Sequence, residues 1–101
     1  MAFDLIIKPI VWFDLNEAIE WHEKESPGLG KRFFKSFEKT KENILRPPAT
    51  YPNITPQVKR ILIKNFPYKV FYTISEKKIF IIGVVHSKRS NAFIRKKLKE
   101  I

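Results

Sequence analysis

At 101 residues the chain is long enough for one domain, and its 44% apolar residues supply a single hydrophobic core. The absence of cysteine excludes a disulfide framework and cysteine-based metal or thiol chemistry. No apolar run approaches the roughly 20 residues of a membrane span, and the first residues lack a signal peptide's basic leader. We therefore expect a cytoplasmic protein with one domain over residues 1–101 and no membrane partner.

The positive charge is concentrated in the second half of the chain. Residues 1–50 carry eight Lys or Arg and eight Asp or Glu, whereas residues 51–101 carry twelve Lys or Arg and two acids. The net charge of +10 therefore lies entirely after residue 50. Such an asymmetry favours a polyanionic partner, either nucleic acid or an acidic protein, over lysines that only keep a small protein soluble.

The first half of the chain predicts a strand followed by two helices. Residues 3–8 alternate loosely and are rich in branched side chains, which indicates a short strand. Apolar residues then recur at helical spacing over about 11–25, with acidic residues off that stripe, and Ser26-Pro27-Gly28 ends the helix. A second helix is predicted over 29–45. The short link between the two helices predicts an antiparallel helical hairpin.

The second half predicts β-structure. Four prolines within residues 47–56 indicate a stiff, non-helical connector. Strands are predicted over 58–64, 68–74 and 79–86, and the last is apolar enough for the centre of a sheet. Residues 91–99 predict a short C-terminal helix or a frayed end. The fold class is therefore α+β, with the helical hairpin packed on one face of an antiparallel β-meander.

The same patterns predict which bulky side chains form the core. Phe33 and Phe37 lie on the apolar stripe of the second helix, and Ile81 lies on the most apolar strand. We expect all three to be nearly inaccessible to solvent. Trp12 and Trp21 of the first helix are also assigned to packing.

Four short motifs follow one another in the order seen in a known family. They are Asp14-Leu15-Asn16-Glu17-Ala18 with Trp21, Gly28-Leu29-Gly30 with Phe33, Phe66-Pro67-Tyr68-x-Val70-x-Tyr72, and His86-x-x-Arg89. None is specific alone, but their order and spacing resemble the RelE/ParE superfamily of toxin–antitoxin toxins. This resemblance implies a growth-inhibiting toxin, of the kind linked to plasmid stabilisation, that a cognate antitoxin holds inactive. Such antitoxins wrap an acidic, partly disordered segment around the toxin, which agrees with the basic second half.

The resemblance leaves the target open, because some members cut messenger RNA on the ribosome and others poison DNA gyrase without cleaving anything themselves. Lys69 occupies the strand position where the ribonuclease branch carries a catalytic arginine, and Phe93 stands where ribonuclease members often have a tyrosine. These two differences favour a ParE-like action on gyrase. The alternatives are a ribosome-dependent ribonuclease and an inactive relative that serves as a protein-binding module.

Three residues are candidates for catalysis if the chain is a ribonuclease: Lys69, His86 and Arg89. Lysine and arginine can stabilise a phosphorane, and imidazole can transfer a proton near neutral pH. Because the last two strands are predicted antiparallel neighbours, we expect the three together at one end of the sheet, on a surface that the hairpin leaves uncovered. His86 at a strand end is also typical of a structural residue that bonds a loop. The cations predicted to bind the antitoxin or a nucleic acid are Lys59, Arg60, Lys64, Lys88 and Arg95.

Other signals point to packing. His22 lies on the apolar stripe of the first helix and is interpreted as a packed residue. Two histidines without paired carboxylates predict no metal site, and the three glycines form no phosphate loop. No cofactor and no small-molecule substrate are therefore expected. Aromatic residues of the predicted strands interleave with lysines, as in single-strand binders, but most strand aromatics belong to a core.

Overall fold

The computed structural model describes residues 3–88 and residue 96. Its elements in chain order are β1 (Asp4–Ile7), α1 (Pro9–Glu25), α2 (Leu29–Ile44), a 3₁₀ turn (Pro48–Thr50), β2 (Asn53–Thr55), β3 (Val58–Leu62), β4 (Tyr68–Ser75) and β5 (Lys78–His86). The predicted α+β class is confirmed, because a helical hairpin covers one face of a sheet. No helix among the described residues is long and apolar enough to cross a membrane.

The sheet has five strands in the order β1-β5-β4-β3-β2. Strands β2 to β5 form the predicted antiparallel meander, extended by one strand, and β1 pairs with β5 in parallel. The most apolar strand, β5, therefore has a neighbour on both sides, as its composition predicts.

The proline-rich connector contains more regular structure than the sequence predicts. Pro48 begins a 3₁₀ turn, where its missing N–H costs nothing, and Pro52 and Pro56 flank the three-residue strand β2. The expectation of a non-helical connector is wrong for the 3₁₀ turn, which forms because Pro48 stands at its first position. The prolines lie at the ends of the 3₁₀ turn and of β2, where they do not prevent either element from forming.

The helical hairpin is joined by a carboxylate. Glu23, in the last turn of α1, accepts hydrogen bonds from the backbone N–H of Gly28 (3.0 Å) and of Gly30 (3.1 Å). Gly28 has φ +86°, which favours glycine, and Gly30 lies so close to α1 that a Cβ would stand 2.6 Å from the Ile19 carbonyl oxygen. Two glycines and one acid thus fix how the helices meet. α1 begins at Pro9, two residues before the predicted start, because proline is well suited to a first helical position.

The main core lies between the hairpin and the sheet. Phe33, Phe37 and Ile81 are fully buried, which confirms the three core predictions. Tyr72 is also fully buried, and its hydroxyl donates a 2.6 Å hydrogen bond to the carbonyl oxygen of Pro48. Burial, with Tyr51 adding to it, raises the pKa of Tyr72 to about 12. This hydrogen bond fastens the connector to the sheet.

Both tryptophans were assigned to packing, but neither is buried. Trp12 is 41% exposed and Trp21 is 57% exposed. The buried stripe of α1 consists of Val11, Leu15, Ala18 and His22. Both indoles lie beside that stripe and not on it, so the helix carries them to its flanks. Residues 91–99, where a C-terminal helix was expected, lie outside the described residues apart from Lys96.

Candidate functional site

The start of β4 lies beside the end of β5, as the predicted pairing requires. Tyr68 pairs with His86, and Lys69 pairs with Val85. Consecutive residues of a strand point to opposite faces. Tyr68 and His86 lie on the hairpin side, where their rings are 5.1 Å apart, and Tyr68 packs against the main core. Lys69 and Val85 lie on the other face, where Val85 belongs to a separate apolar cluster.

The three candidate catalytic residues therefore do not share one uncovered surface. His86 lies on the hairpin side of the sheet and Lys69 on the open side, although Lys69 directly follows Tyr68, the residue that pairs with His86. The expected common placement is wrong for this pair, because strand alternation separates them. Arg89 and Arg95 lie outside the described residues, as does Phe93.

On the hairpin side, the end of the sheet and the end of α1 line an open cleft of about 530 Å³. We call it the aromatic cleft, and it is lined by Trp21, His22, Pro67, Tyr68, His86 and Lys88. The sequence patterns singled out His86 and Lys88 but assigned Trp21 and His22 to packing. An exposed tryptophan next to a buried histidine indicates a binding site only when the position of the helix against the sheet is known, and the sequence does not give that position.

His22 anchors the floor of the aromatic cleft. It is 4% exposed, which confirms its interpretation as a packed residue. Its Nδ1 donates a 2.6 Å hydrogen bond to the Ala18 carbonyl oxygen, and its ring stacks on Phe33 with centroids 4.7 Å apart. A carbonyl can only accept, so the proton of the neutral ring is on Nδ1. Trp21 meets this ring edge-on at 5.1 Å, so the exposed indole rests on a fixed support.

His86 and Tyr68 form the wall of the cleft opposite α1. The backbone N–H of Lys88 donates a 3.1 Å hydrogen bond to Nδ1 of His86, which is the loop bond expected of a structural histidine. In the neutral ring the proton is then on Nε2, which is a donor. Burial raises the pKa of Tyr68, so its phenol also keeps its proton and remains a donor.

The cations on the other side of the sheet form a second candidate surface. Leu62 pairs with Lys69 and Arg60 pairs with Phe71, so these side chains share the open face. Leu62 is 54% exposed between the two cations. We call Arg60, Leu62 and Lys69 the open-face strip. Its mixture of positive charge and apolar surface suits an acidic segment with apolar side chains.

The remaining predicted cations are placed differently. Lys59 is held within the protein, because its Nζ donates to the Tyr51 carbonyl oxygen at 2.9 Å and to Asn53 Oδ1 at 2.6 Å. Lys64 is exposed in the link between β3 and β4, and Lys88 is exposed at the aromatic cleft. Of the predicted binding cations, Lys59 is thus the one whose ammonium group forms hydrogen bonds within the protein.

The positive charge of both surfaces is uncompensated within the part of the chain that the structure describes. Ion pairs form between Lys39 and Glu42 (3.4 Å) and between Lys41 and Glu38 (2.6 Å), all on α2. No described carboxylate pairs with a cation of the open-face strip or with Lys88. Residues 3–88 also contain no cluster of three side chains that could hold a metal ion. Among the described residues, both surfaces are therefore positively charged without an acidic partner.

The fold is that of the small toxins of toxin–antitoxin pairs, as comparison with solved structures shows. A chain from the chromosomal ParDE system of P. aeruginosa gives a TM-score of 0.75 at 12% identity, over 85% of this chain and 97% of that chain. A mutant of the E. coli toxin RelE in the free state gives 0.71 at 17% identity, over 100% and 99%. The same kind of mutant in complex with an antitoxin RelBc peptide gives 0.61 at 19%, over 95% of both chains.

The family follows from the sequence. Residues 5–91 match the family model described as the ParE toxin of the type II toxin–antitoxin system parDE. The chain belongs to this family, and it is a type II toxin of the ParE/RelE superfamily, as the four motifs indicated. No curated protein matches the sequence.

Proposed function

We propose that the chain is neutralised by a cognate acidic antitoxin and that, when free, it acts on DNA gyrase without cleaving nucleic acid. The observation that carries this proposal is the match of residues 5–91 to the ParE family. The resemblance adds support, because Lys69 and Phe93 replace residues that the ribonuclease branch uses. A gyrase poison needs a complementary surface and no proton-transfer residue.

The open-face strip is the proposed contact for the antitoxin. Solved relatives include a RelE mutant bound to an antitoxin peptide and an archaeal RelE–RelB complex, so partners of this fold are known. On this chain, Arg60 and Lys69 have no described carboxylate partner and flank the exposed side chain of Leu62. An acidic segment that folds on binding can pair with the cations and cover the leucine.

Supercoiling by purified gyrase tests the proposed target. We expect the free toxin to inhibit supercoiling of relaxed plasmid and the cognate antitoxin, added in equal amount, to restore it. Ribosomes from expressing cells should show no new cuts in messenger RNA. Unchanged supercoiling at toxin concentrations that arrest growth would contradict the proposal.

A second function, ribosome-dependent RNA cleavage, is supported by one feature of the aromatic cleft. His86, Tyr68 and Lys88 bring an imidazole, a phenol and an ammonium group to one cavity, and these groups can move a proton and stabilise a phosphorane. Mapping of RNA ends in expressing cells separates the two functions. Cuts within codons that disappear in His86→Ala would favour cleavage over action on gyrase.

A further inference from the structure

We propose that the aromatic cleft binds one unpaired nucleotide of a single-stranded nucleic acid, with the base on Trp21 and the phosphate at His86 and Lys88. The cleft's volume of about 530 Å³ lies within the range of pockets that hold small organic groups, about 300–1,000 Å³. This site is separate from the open-face strip, because it lies on the hairpin side of the sheet. It goes beyond the proposed contacts with an antitoxin or with gyrase, and it deepens the second function, because the same cleft holds the groups named there for RNA cleavage.

The stacking surface is the indole of Trp21. A tryptophan that is 57% exposed at the wall of a cavity offers a flat face to a base, and every base can stack. The indole contacts the ring of His22, with centroids 5.1 Å apart and an angle of 81° between the ring planes. His22 is itself fixed by its hydrogen bond to Ala18 and by stacking on Phe33. Little ordering is then needed when a base arrives.

The polar groups of the cleft are donors. His86 presents Nε2–H because its Nδ1 is occupied by the Lys88 backbone, and the Lys88 side chain adds a positive charge. Tyr68 adds a phenolic O–H. None of the described residues that line the cleft is a carboxylate. Donors and a cation opposite an aromatic face match a nucleotide, whose phosphate accepts hydrogen bonds and whose base stacks.

A base can also be held by its edge. Nδ1 of His22 is committed to Ala18, so in the neutral ring only Nε2 can accept a hydrogen bond. That nitrogen has no partner among the described residues. An N–H group on the edge of a base can donate to this nitrogen.

An acidic peptide is the competing occupant, and the cleft suits it less well. A carboxylate would use the donors of His86 and Lys88, but a peptide would need a second, apolar side chain to cover the face of Trp21. The open-face strip already offers two cations and an exposed leucine to such a peptide. A nucleotide supplies the phosphate acceptor and the stacking face in one unit, which favours the single strand.

Fluorescence of the full-length toxin tests binding directly. The chain has two tryptophans, so Trp12→Phe leaves Trp21 as the reporter. We expect saturable quenching by a six-nucleotide single strand of mixed sequence and weaker quenching by a mononucleotide. A duplex of the same sequence and inorganic phosphate should leave the signal nearly unchanged. Quenching by phosphate alone to the same extent as by the strand would overturn the proposal.

Variants then assign the contacts by anisotropy of a labelled strand. Trp21→Ala should weaken binding about 5- to 150-fold, since stacking on one aromatic side chain is worth that much. Lys88→Ala should reduce the slope of log affinity against log salt by about 0.7, the value for one phosphate contact of a single strand. Lys77→Ala, an equal charge change in the β4–β5 turn, is the matched control and should leave the slope nearly unchanged.

If Trp21→Ala keeps its circular dichroism spectrum and binds the strand as the parent does, there is no stacking site. The proposal also fails if an acidic peptide displaces the strand and itself loses affinity in Trp21→Ala, because the cleft is then a peptide site. The assay contains neither gyrase nor ribosomes. Its result therefore stands apart from the supercoiling test of the proposed function.

Discussion

Substituting Gly30 by alanine tests how the helical hairpin is assembled. In an isolated helix, alanine in place of glycine stabilises by about 1 kcal/mol. In this protein the added Cβ would stand 2.6 Å from the Ile19 carbonyl oxygen and 3.1 Å from a carboxylate oxygen of Glu23. A backbone carbonyl cannot rotate away as a flexible side chain does, so the two helices would have to separate.

The magnitude follows from three contributions. Overpacking at a close contact costs about 1–3 kcal/mol. Separation also stretches the 3.1 Å bond from the Gly30 N–H to Glu23, and a partly buried hydrogen bond to a charged group is worth about 1.5 kcal/mol at the low end of its range. The helix-propensity gain offsets about 1 kcal/mol. We expect a net loss of about 1.5–3.5 kcal/mol in the free energy of unfolding.

Urea unfolding followed by circular dichroism measures this loss, with an unchanged m-value as the sign that the unfolded states match. In a thermal melt the same loss lowers Tm by roughly 6–28 °C. Lys35→Ala, at an exposed position of α2, is the control and should stay within about 0.5 kcal/mol of the parent. A Gly30→Ala protein that is more stable than the parent would refute the close contact.

Three further predictions concern the core, the pH dependence and the antitoxin contact. Phe37→Ala should cost about 3–5 kcal/mol because the ring is fully buried, and a loss under about 1 kcal/mol in urea would contradict that packing. Stability should fall between pH 10 and pH 12, by at most about 1.4 kcal/mol per pH unit from Tyr72, because the folded protein keeps the Tyr72 proton up to about pH 12 and the unfolded chain releases it near 10. Tyr72→Phe should lack this part of the decline, and parallel pH curves for the two proteins would argue against it. Lys69→Glu should weaken the antitoxin complex about tenfold or more by calorimetry, whereas Lys77→Glu should have little effect; equal losses would indicate net charge alone.

The helices and the longer strands were predictable because their information is local. Phe33 and Phe37 are one turn apart on α2, and an apolar stripe of that length predicts that this face of the helix is buried in the core. The apolar run of β5 predicts an interior strand in the same way. These patterns depend on neighbours in sequence, so they can be recognised without knowledge of the tertiary structure.

The two edge strands depend on partners that sequence patterns do not identify. β2 has three residues, too few to show a period, and it exists because Asn53 pairs with Lys59 across a turn. β1 pairs in parallel with a strand more than 70 residues away, Leu5 against Ile79. Strand propensity predicted that β1 is extended, but only the folded sheet shows where it lies.

The candidate site shows the same division between local and non-local information. Antiparallel pairing of β4 and β5 correctly brought residue 69 near residue 86, yet the faces of the sheet were not assigned. The role of Trp21 depends on where the last turn of α1 meets the end of the sheet, which no pattern within the helix specifies. A residue on the flank of a buried stripe can be buried or exposed. Which of the two occurs depends on the residues that pack against it from distant parts of the chain.

Alternation in β4 gives this small toxin two surfaces that single substitutions can separate. Tyr68 belongs to the aromatic cleft and Lys69 to the open-face strip, although one peptide bond joins them. A partner on the strip and a nucleotide in the cleft would lie on opposite faces of a sheet whose hydrogen-bonded strands hold both side chains in register. An antitoxin that binds only the open-face strip can neutralise the toxin only by blocking that strip. An antitoxin that also extends around the end of β5 can fill the aromatic cleft as well. Binding of the labelled strand to the toxin–antitoxin complex distinguishes these two arrangements, because the cleft stays open in the first and is closed in the second.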